Sequence, residues 1–275
     1  MDAQAEYDNR ARVPEHPGII THWARDSAGF RASWPEAELD LAYGPGERER
    51  LDLFRPGPGG GWPLALFIHG GYWQALDRLF FGHVARGLLD HGVAVAIPSY
   101  DLCPAVPLAR IVEQVREAAA FLHRRRFGAR RMLAMGHSAG GHLTAMLMAT
   151  DWRALDPALP PDLVPAGLPI SGVFELEPLL PTTIAAPLRL TPEEARRLSP
   201  RLLPPPAGAA LHAVVGAAES GEFLRQTRDF ATAWGGSWEA VPGANHFTVL
   251  NVLTDPASPL VARAAAMAMR AAAAG

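Results

Sequence analysis

Residues 131–147, RMLAMGHSAGGHLTAML, decide the reading of this chain, because they set a serine in the frame Gly136-His137-Ser138-Ala139-Gly140 between two unlike segments. The apolar run from Met132 to Met135 has the length and composition of a buried strand, and from Ala139 onward apolar residues recur at helical spacing. A chain that reverses from strand to helix within so few atoms forces the serine into strained backbone angles, and a side chain at Gly136 or Gly140 would collide with the neighbouring strand or helix. The hydroxyl of Ser138 then stands clear of the sheet, beside the N–H groups that open the helix. This is the pattern of a nucleophile elbow.

GxSxG alone arises readily in a glycine-rich chain, so its context carries the weight. Upstream, LALFIHGGYW (64–73) is an apolar strand running into His69-Gly70-Gly71, and a glycine loop after an early strand supplies the second half of an oxyanion hole in folds that use such elbows. Strand and helix patterns alternate around these two signals. Residues 38–41 and 48–54 form an antiparallel pair about a Gly-Pro-Gly turn, 64–68 and 93–99 are strands separated by a helical segment over 78–90, and 108–126 is a long amphipathic helix. After the elbow, 168–173 and 211–216 read as buried strands, 222–234 as a helix, 238–241 as the last strand, and the alanine-rich tail from Pro256 as a closing helix. That order predicts one α/β domain over 1–275, of the α/β-hydrolase fold: a mostly parallel central sheet with helices on both faces. Two stretches fall outside the alternation: 1–35, an N-terminal helical cap extension, and 174–208, rich in Pro and Leu, in the position of a lid that shapes substrate access.

Bulk properties narrow the function class. The net charge is −3, and the one dense cationic run, 123–126, closes a predicted helix, where it complements the dipole; no nucleic-acid partner is expected. No apolar stretch is long enough to span a bilayer, and the polar, acidic first ten residues lack the apolar core of a secretory signal, so no membrane partner and a cytoplasmic location are expected. The single cysteine, Cys103, forbids an internal disulfide and suits a reducing compartment. No His/Cys cluster has zinc spacing, so neither a metal nor another cofactor is implied.

A serine needs a base, and the base an orienting acid; in this fold they follow in the order Ser, Asp or Glu, His. Of ten histidines, His246 has the right address, in PGANHF (242–247) between the last strand and the closing helix. His212 and His142 sit on regular elements as packed or solvated residues, His137 belongs to the elbow, and His69 braces the glycine loop. For the acid, Glu219 in VVGAAESGE (214–222) directly follows the penultimate strand and is preferred; Glu222 and Asp229, on the next helix, are its rivals. Tyr72 and Trp73, beside the loop glycines, together with Tyr100 and Phe247, are candidates to line the pocket for a small-molecule amide or ester.

The strings HGGYWQALDR (69–78), GHSAGGHL (136–143), SYDLCPAVPLARIVEQVREA (99–118) and SGVFELEPL (171–179) resemble the arylformamidase, or kynurenine formamidase, branch of this fold. So do EYDNRARVPEH (6–16), EARRLSP (194–200) and ESGEFLRQT (219–227). The resemblance implies metal-free hydrolysis of N-formyl-kynurenine to kynurenine and formate, with Ser138 as nucleophile, Glu219 as acid, His246 as base, and an oxyanion hole from Gly70, Gly71 and the N–H of Ala139. Family members often carry Asp where this chain has Glu219. A homodimer is common in the family, although no exposed patch or heptad here demands one. A small-ester carboxylesterase, an amide, carbamate or lactone hydrolase, and an inactive hydrolase-fold binding protein are the alternative readings.

Overall fold

A computed structural model describes residues 2–125, 127–128 and 130–273. The chain opens with helices α1 (Ala3–Tyr7), α2 (Asn9–Arg12) and α3 (His16–Ser33), then enters the sheet through β1 (Ala37–Ala42), β2 (Arg50–Phe54), β3 (Leu64–Ile68), α4 (Arg86–Asp90), β4 (Ala94–Pro98) and α5 (Leu108–Arg125). It continues through β5 (Met132–His137), α6 (Ala139–Met148), α7 (Trp152–Leu155), β6 (Ala166–Ile170), α8 (Pro192–Arg197), β7 (Ala210–Gly216), α9 (Gly221–Ala233), β8 (Ser237–Val241) and α10 (Pro259–Ala273). The eight strands form one sheet in the order β1-β2-β4-β3-β5-β6-β7-β8. β1 and β2 pair antiparallel, β2 joins β4 antiparallel, and all other neighbours are parallel. This is the α/β-hydrolase arrangement.

The parallel strands are apolar on both faces, and successive residues serve opposite layers. Leu64, Leu66 and Ile68 of β3, with Met132 and Ala134 of β5, join the core shared with α5, α6 and α9. Ala65, Phe67, Leu133 and Met135 join the opposite core, shared with α3, α4 and α10. Helix α6 has all ten residues buried, as expected of a helix apolar on every side.

Two elements differ from the sequence reading, and the end of a third lies outside the described residues. The segment 78–90 is two 3-10 turns, Arg78–Phe80 and Gly82–Ala85, followed by the short α4, because Gly82 packs against α3 and gives its N–H to Ser27 Oγ at 2.8 Å. Strand β6 ends at Ile170, and Ser171 turns away with φ of 51°. Helix α5 is described to Arg125; Arg126, with which the sequence reading closed it, lies outside the described residues.

The N-terminal segment is tied down at both ends, to the sheet through α3 and to α9 through α1. Arg31 of α3 pairs with the buried Asp52 of β2 at 2.6 Å, and Arg78 reaches the same carboxylate at 3.2 Å. Tyr7 of α1 donates its hydroxyl to Glu222 of α9 at 2.9 Å. Between these anchors α2 and the start of α3 lie over the carboxyl ends of the central strands. No helix among the described residues is long and apolar enough to cross a membrane.

Candidate active site

Ser138 joins β5 to α6 with φ 56° and ψ −117°, a conformation that strains a non-glycine residue by roughly 1–3 kcal/mol. Its N–H is held by the Ile170 carbonyl of β6 at 2.8 Å, and its own carbonyl accepts from Gly141 at 2.8 Å. The tight packing requires glycine: a methyl on Gly140 would lie 1.9 Å from the Ile68 carbonyl oxygen, and one on Gly136 2.4 Å from that of Gly140.

The loop after β3 lies against this elbow. A methyl on Gly70 would meet the His137 carbonyl at 2.8 Å, and Gly71 takes φ of 109° so that its carbonyl can accept from Gln74 and Ala75. Tyr72 and Trp73 also have positive φ, 50° and 57°. This left-handed run brings Gly70 and Gly71 beside Ser138, opposite the first N–H of α6 at Ala139. His69 steadies the loop from beneath: its Nδ1 bonds the Gly70 carbonyl at 2.8 Å and its ring stacks on Tyr100 at 4.1 Å. Burial lowers the His69 pKa to about 3, so the ring is neutral.

His246 sits in the loop between β8 and the 3-10 turn Thr248–Leu253. The side chain of Asn245 accepts from the N–H groups of Phe247 and Thr248 at 2.9 and 3.0 Å, which fixes the loop's shape. The His246 carbonyl accepts from His137 Nε2 at 2.7 Å. Burial first, and then the neighbouring His246, hold the His137 pKa well below the usual imidazole value.

Glu219 Oε2 accepts from His246 Nδ1 at 2.7 Å, which leaves Nε2 of a neutral His246 free to accept a proton. The other oxygen of Glu219 accepts from Gly216 N–H at 2.7 Å and from Ser171 Oγ. Both rival acids are engaged elsewhere. Glu222 is bound by Tyr7 and Arg225; burial pushes its pKa up, but those hydrogen bonds outweigh it and hold the net value down. Glu222 is itself buried. Asp229 pairs with Arg225 and Arg228.

Ser138 and His246 open onto a cavity of about 50 Å³. Among the predicted pocket residues, Tyr72 and Phe247 line it, whereas Trp73 and Tyr100 do not. The left-handed turn sends consecutive side chains apart: Trp73 is fully buried, edge-on to His142 at 5.0 Å, and Tyr100 lies under His69 with its hydroxyl on the His69 carbonyl at 2.8 Å. No residue of 174–208, expected as the lid, lines the cavity; its roof is Asn9, Arg10, Ile20 and Trp23 of the N-terminal segment. The insertion packs instead on the outer side of α6 and α9, where Leu198 accepts from His142 Nε2 at 2.7 Å and Phe174 stacks on Phe230 at 4.0 Å. Sequence reasoning missed Ser171, which it placed inside the strand 168–173, and the roof residues, of which Asn9 and Arg10 lie in the string EYDNRARVPEH without having been given a role.

A family model described as BD-FAE matches residues 51–159. The kynurenine formamidase of Salmo salar is 33% identical over 229 residues, 79% of this chain and 77% of the relative, and that of Danio rerio is 32% identical over the same shares. Among solved structures, a candidate thioesterase from Silicibacter sp. TM1040 is 35% identical, with a TM-score of 0.86 over 95% of this chain and 98% of that one. Fold and relatives together define an α/β-hydrolase enzyme. Within that class, the chain belongs to the kynurenine formamidase family.

Proposed function

We propose that this α/β-hydrolase is an arylformamidase: it hydrolyses a short-acyl amide of an aromatic amine, with N-formyl-kynurenine as the leading substrate, and uses neither metal nor other cofactor. The observation that carries the proposal is the pairing of His246 with the fully buried Glu219 carboxylate in the wall of the cavity that also holds the strained Ser138. In this reading Ser138 Oγ attacks the formyl carbon as His246 Nε2 takes its proton, and the oxyanion is held by N–H groups of Ala139 and of the Gly70–Gly71 loop. Each such donor contributes about two to three powers of ten in rate. The imidazolium, steadied by Glu219, then protonates the departing nitrogen, the C–N bond breaks, and a formyl-serine remains. Water, deprotonated by the same imidazole, attacks that ester; formate leaves and Ser138 recovers its proton. Protonation matters most for an anilide, whose nitrogen departs poorly as an anion, so activated aryl esters should also turn over.

A cytoplasmic setting is part of the proposal, in keeping with the buried, free thiol of Cys103. The test is kcat/KM for N-formyl-L-kynurenine beside p-nitrophenyl acetate, with Ser138→Ala as blank. A value for the formyl amide of about 10⁴ M⁻¹s⁻¹ or more supports the proposal. Ester cleavage without any amide turnover would make the protein a small-ester carboxylesterase instead.

A further inference from the structure

The cavity at Ser138 has a distinctive charge. Its walls are largely apolar and aromatic, from Ile20, Trp23, Leu76 and Phe247, and no carboxylate lines it. The His137 ring in its wall is kept neutral by burial. One arginine lines it: Arg10, the second residue of α2. Arg10 is exposed as well as cavity-lining, which places the residue at the mouth rather than beside the serine.

Arg10 is also uncommitted. Arg31, Arg78, Arg110 and Arg225 are each fixed on a carboxylate, whereas Arg10 forms no ion pair among the described residues. The neighbouring acid, Asp8, is occupied in capping α2, accepting from the Ala11 N–H at 3.0 Å. Arg12, two residues on, faces a different groove on the Glu219 side of His246, from which Ser138 is absent.

We propose that Arg10 receives a carboxylate carried by the leaving group of the substrate, so that the protein selects acylated aromatic amines that bear a carboxylate over those that lack one. This deepens the arylformamidase reading and rests on it for the bond cleaved. The small space at Ser138 takes the acyl carbon, the aromatic part runs outward past Trp23 and Phe247, and an acid group at its far side meets the guanidinium. A guanidinium suits this role because its planar fork offers two parallel N–H donors to a carboxylate. Since the mouth is solvated, the effect is modest and salt-sensitive, about tenfold and expressed in KM.

The experiment uses two substrates that differ only in the carboxylate, 4-formamidobenzoate and formanilide, with wild type, Arg10→Gln, Arg10→Lys and Arg12→Gln. Wild type is expected to favour the carboxylate-bearing amide about tenfold through KM. Arg10→Gln erases that preference while formanilide changes less than about twofold, Arg10→Lys retains part of it, and Arg12→Gln, which removes the same charge outside the cavity, keeps it. Equal losses on both substrates in Arg10→Gln, or an undiminished preference, would overturn the proposal. If neither amide turns over and only esters do, the formamidase reading fails by itself, and 4-acetoxybenzoate against phenyl acetate makes the same comparison for Arg10.

Discussion

Glu219 holds His246 with one carboxylate oxygen and is itself held through the other: Oε2 meets Nδ1 at 2.7 Å, while Oε1 takes the Gly216 N–H at 2.7 Å and the Ser171 hydroxyl. The side chain is fully buried, so its charge acts on the imidazole with little screening. Glu219→Gln is expected to lower kcat about 10⁴-fold by favouring the wrong imidazole tautomer. Ser171→Ala, which removes one bond to the charged carboxylate, should cost about ten- to a hundredfold. Glu222→Gln should leave kcat within a fewfold and lower the melting temperature, because it loosens the Tyr7 and Arg225 contacts. Steady-state kinetics with thermal melts checks all three, and a severe kcat loss confined to Glu222→Gln would move the acid assignment.

Ser138→Ala should reduce turnover by about six powers of ten while keeping the strained backbone. Ser138→Gly should be equally inactive but more stable than Ser138→Ala by about 1 kcal/mol, because glycine adopts φ of 56° readily. Urea unfolding of the two variants decides this, and equal stability would mean that the elbow stores no strain.

The small cavity predicts a sharp dependence on acyl length. Along a p-nitrophenyl series, kcat/KM should fall by about tenfold or more from acetate to butyrate, as added methylenes overfill the space. A flat series would show that the roof of α2 and α3 yields to longer chains.

Buried histidines make the fold sensitive to mild acid. Burial lowers His142 to about 4, against a usual value near 6.5, although its bond to the Leu198 carbonyl opposes the shift. Between those two values the unfolded chain carries a proton that the folded chain does not, so stability present above pH 6.5 is lost as pH falls, at about 1.4 kcal/mol per pH unit for one proton. His69 extends the same trend to about pH 3. His142→Gln should flatten the slope between pH 6.5 and 4.5 by about one proton, measured by urea unfolding across that range. An unchanged slope would remove His142 from the account.

Dialysis against EDTA is expected to leave kcat unchanged, since the proposed steps move protons and charge through an imidazole and backbone N–H groups alone. Inhibition reversed by added zinc would overturn the metal-free reading.

Much of this was legible in the linear chain because it depends on order and on local backbone demands. The run from strand to glycine-flanked serine to helix admits few geometries, and Leu64–Ile68, Met132–His137 and Ala210–Gly216 carry the continuous apolar runs of buried parallel strands. Side-chain direction was another matter. Trp73 follows Tyr72 directly, yet only Tyr72 reaches the cavity, because three consecutive positive φ angles turn the loop between them. The roof was equally hidden: Arg10 and Trp23 stand more than a hundred residues from Ser138, and the ties that bring them over it, Tyr7 to Glu222 and Arg31 to Asp52, are pairings no periodicity announces.

The bond from His137 Nε2 to the His246 carbonyl links the residue beside the nucleophile to the backbone of the base. Ser138 and His246 are therefore braced against each other by this bond, and among the described residues no hydrogen bond from the N-terminal roof reaches either of them. Residues 9–23 wall the mouth of the cavity without entering that hydrogen-bonded frame. Entry and chemistry are thus governed by separate portions of the chain, and selection can adjust which molecules gain admission while the reaction itself stays the same.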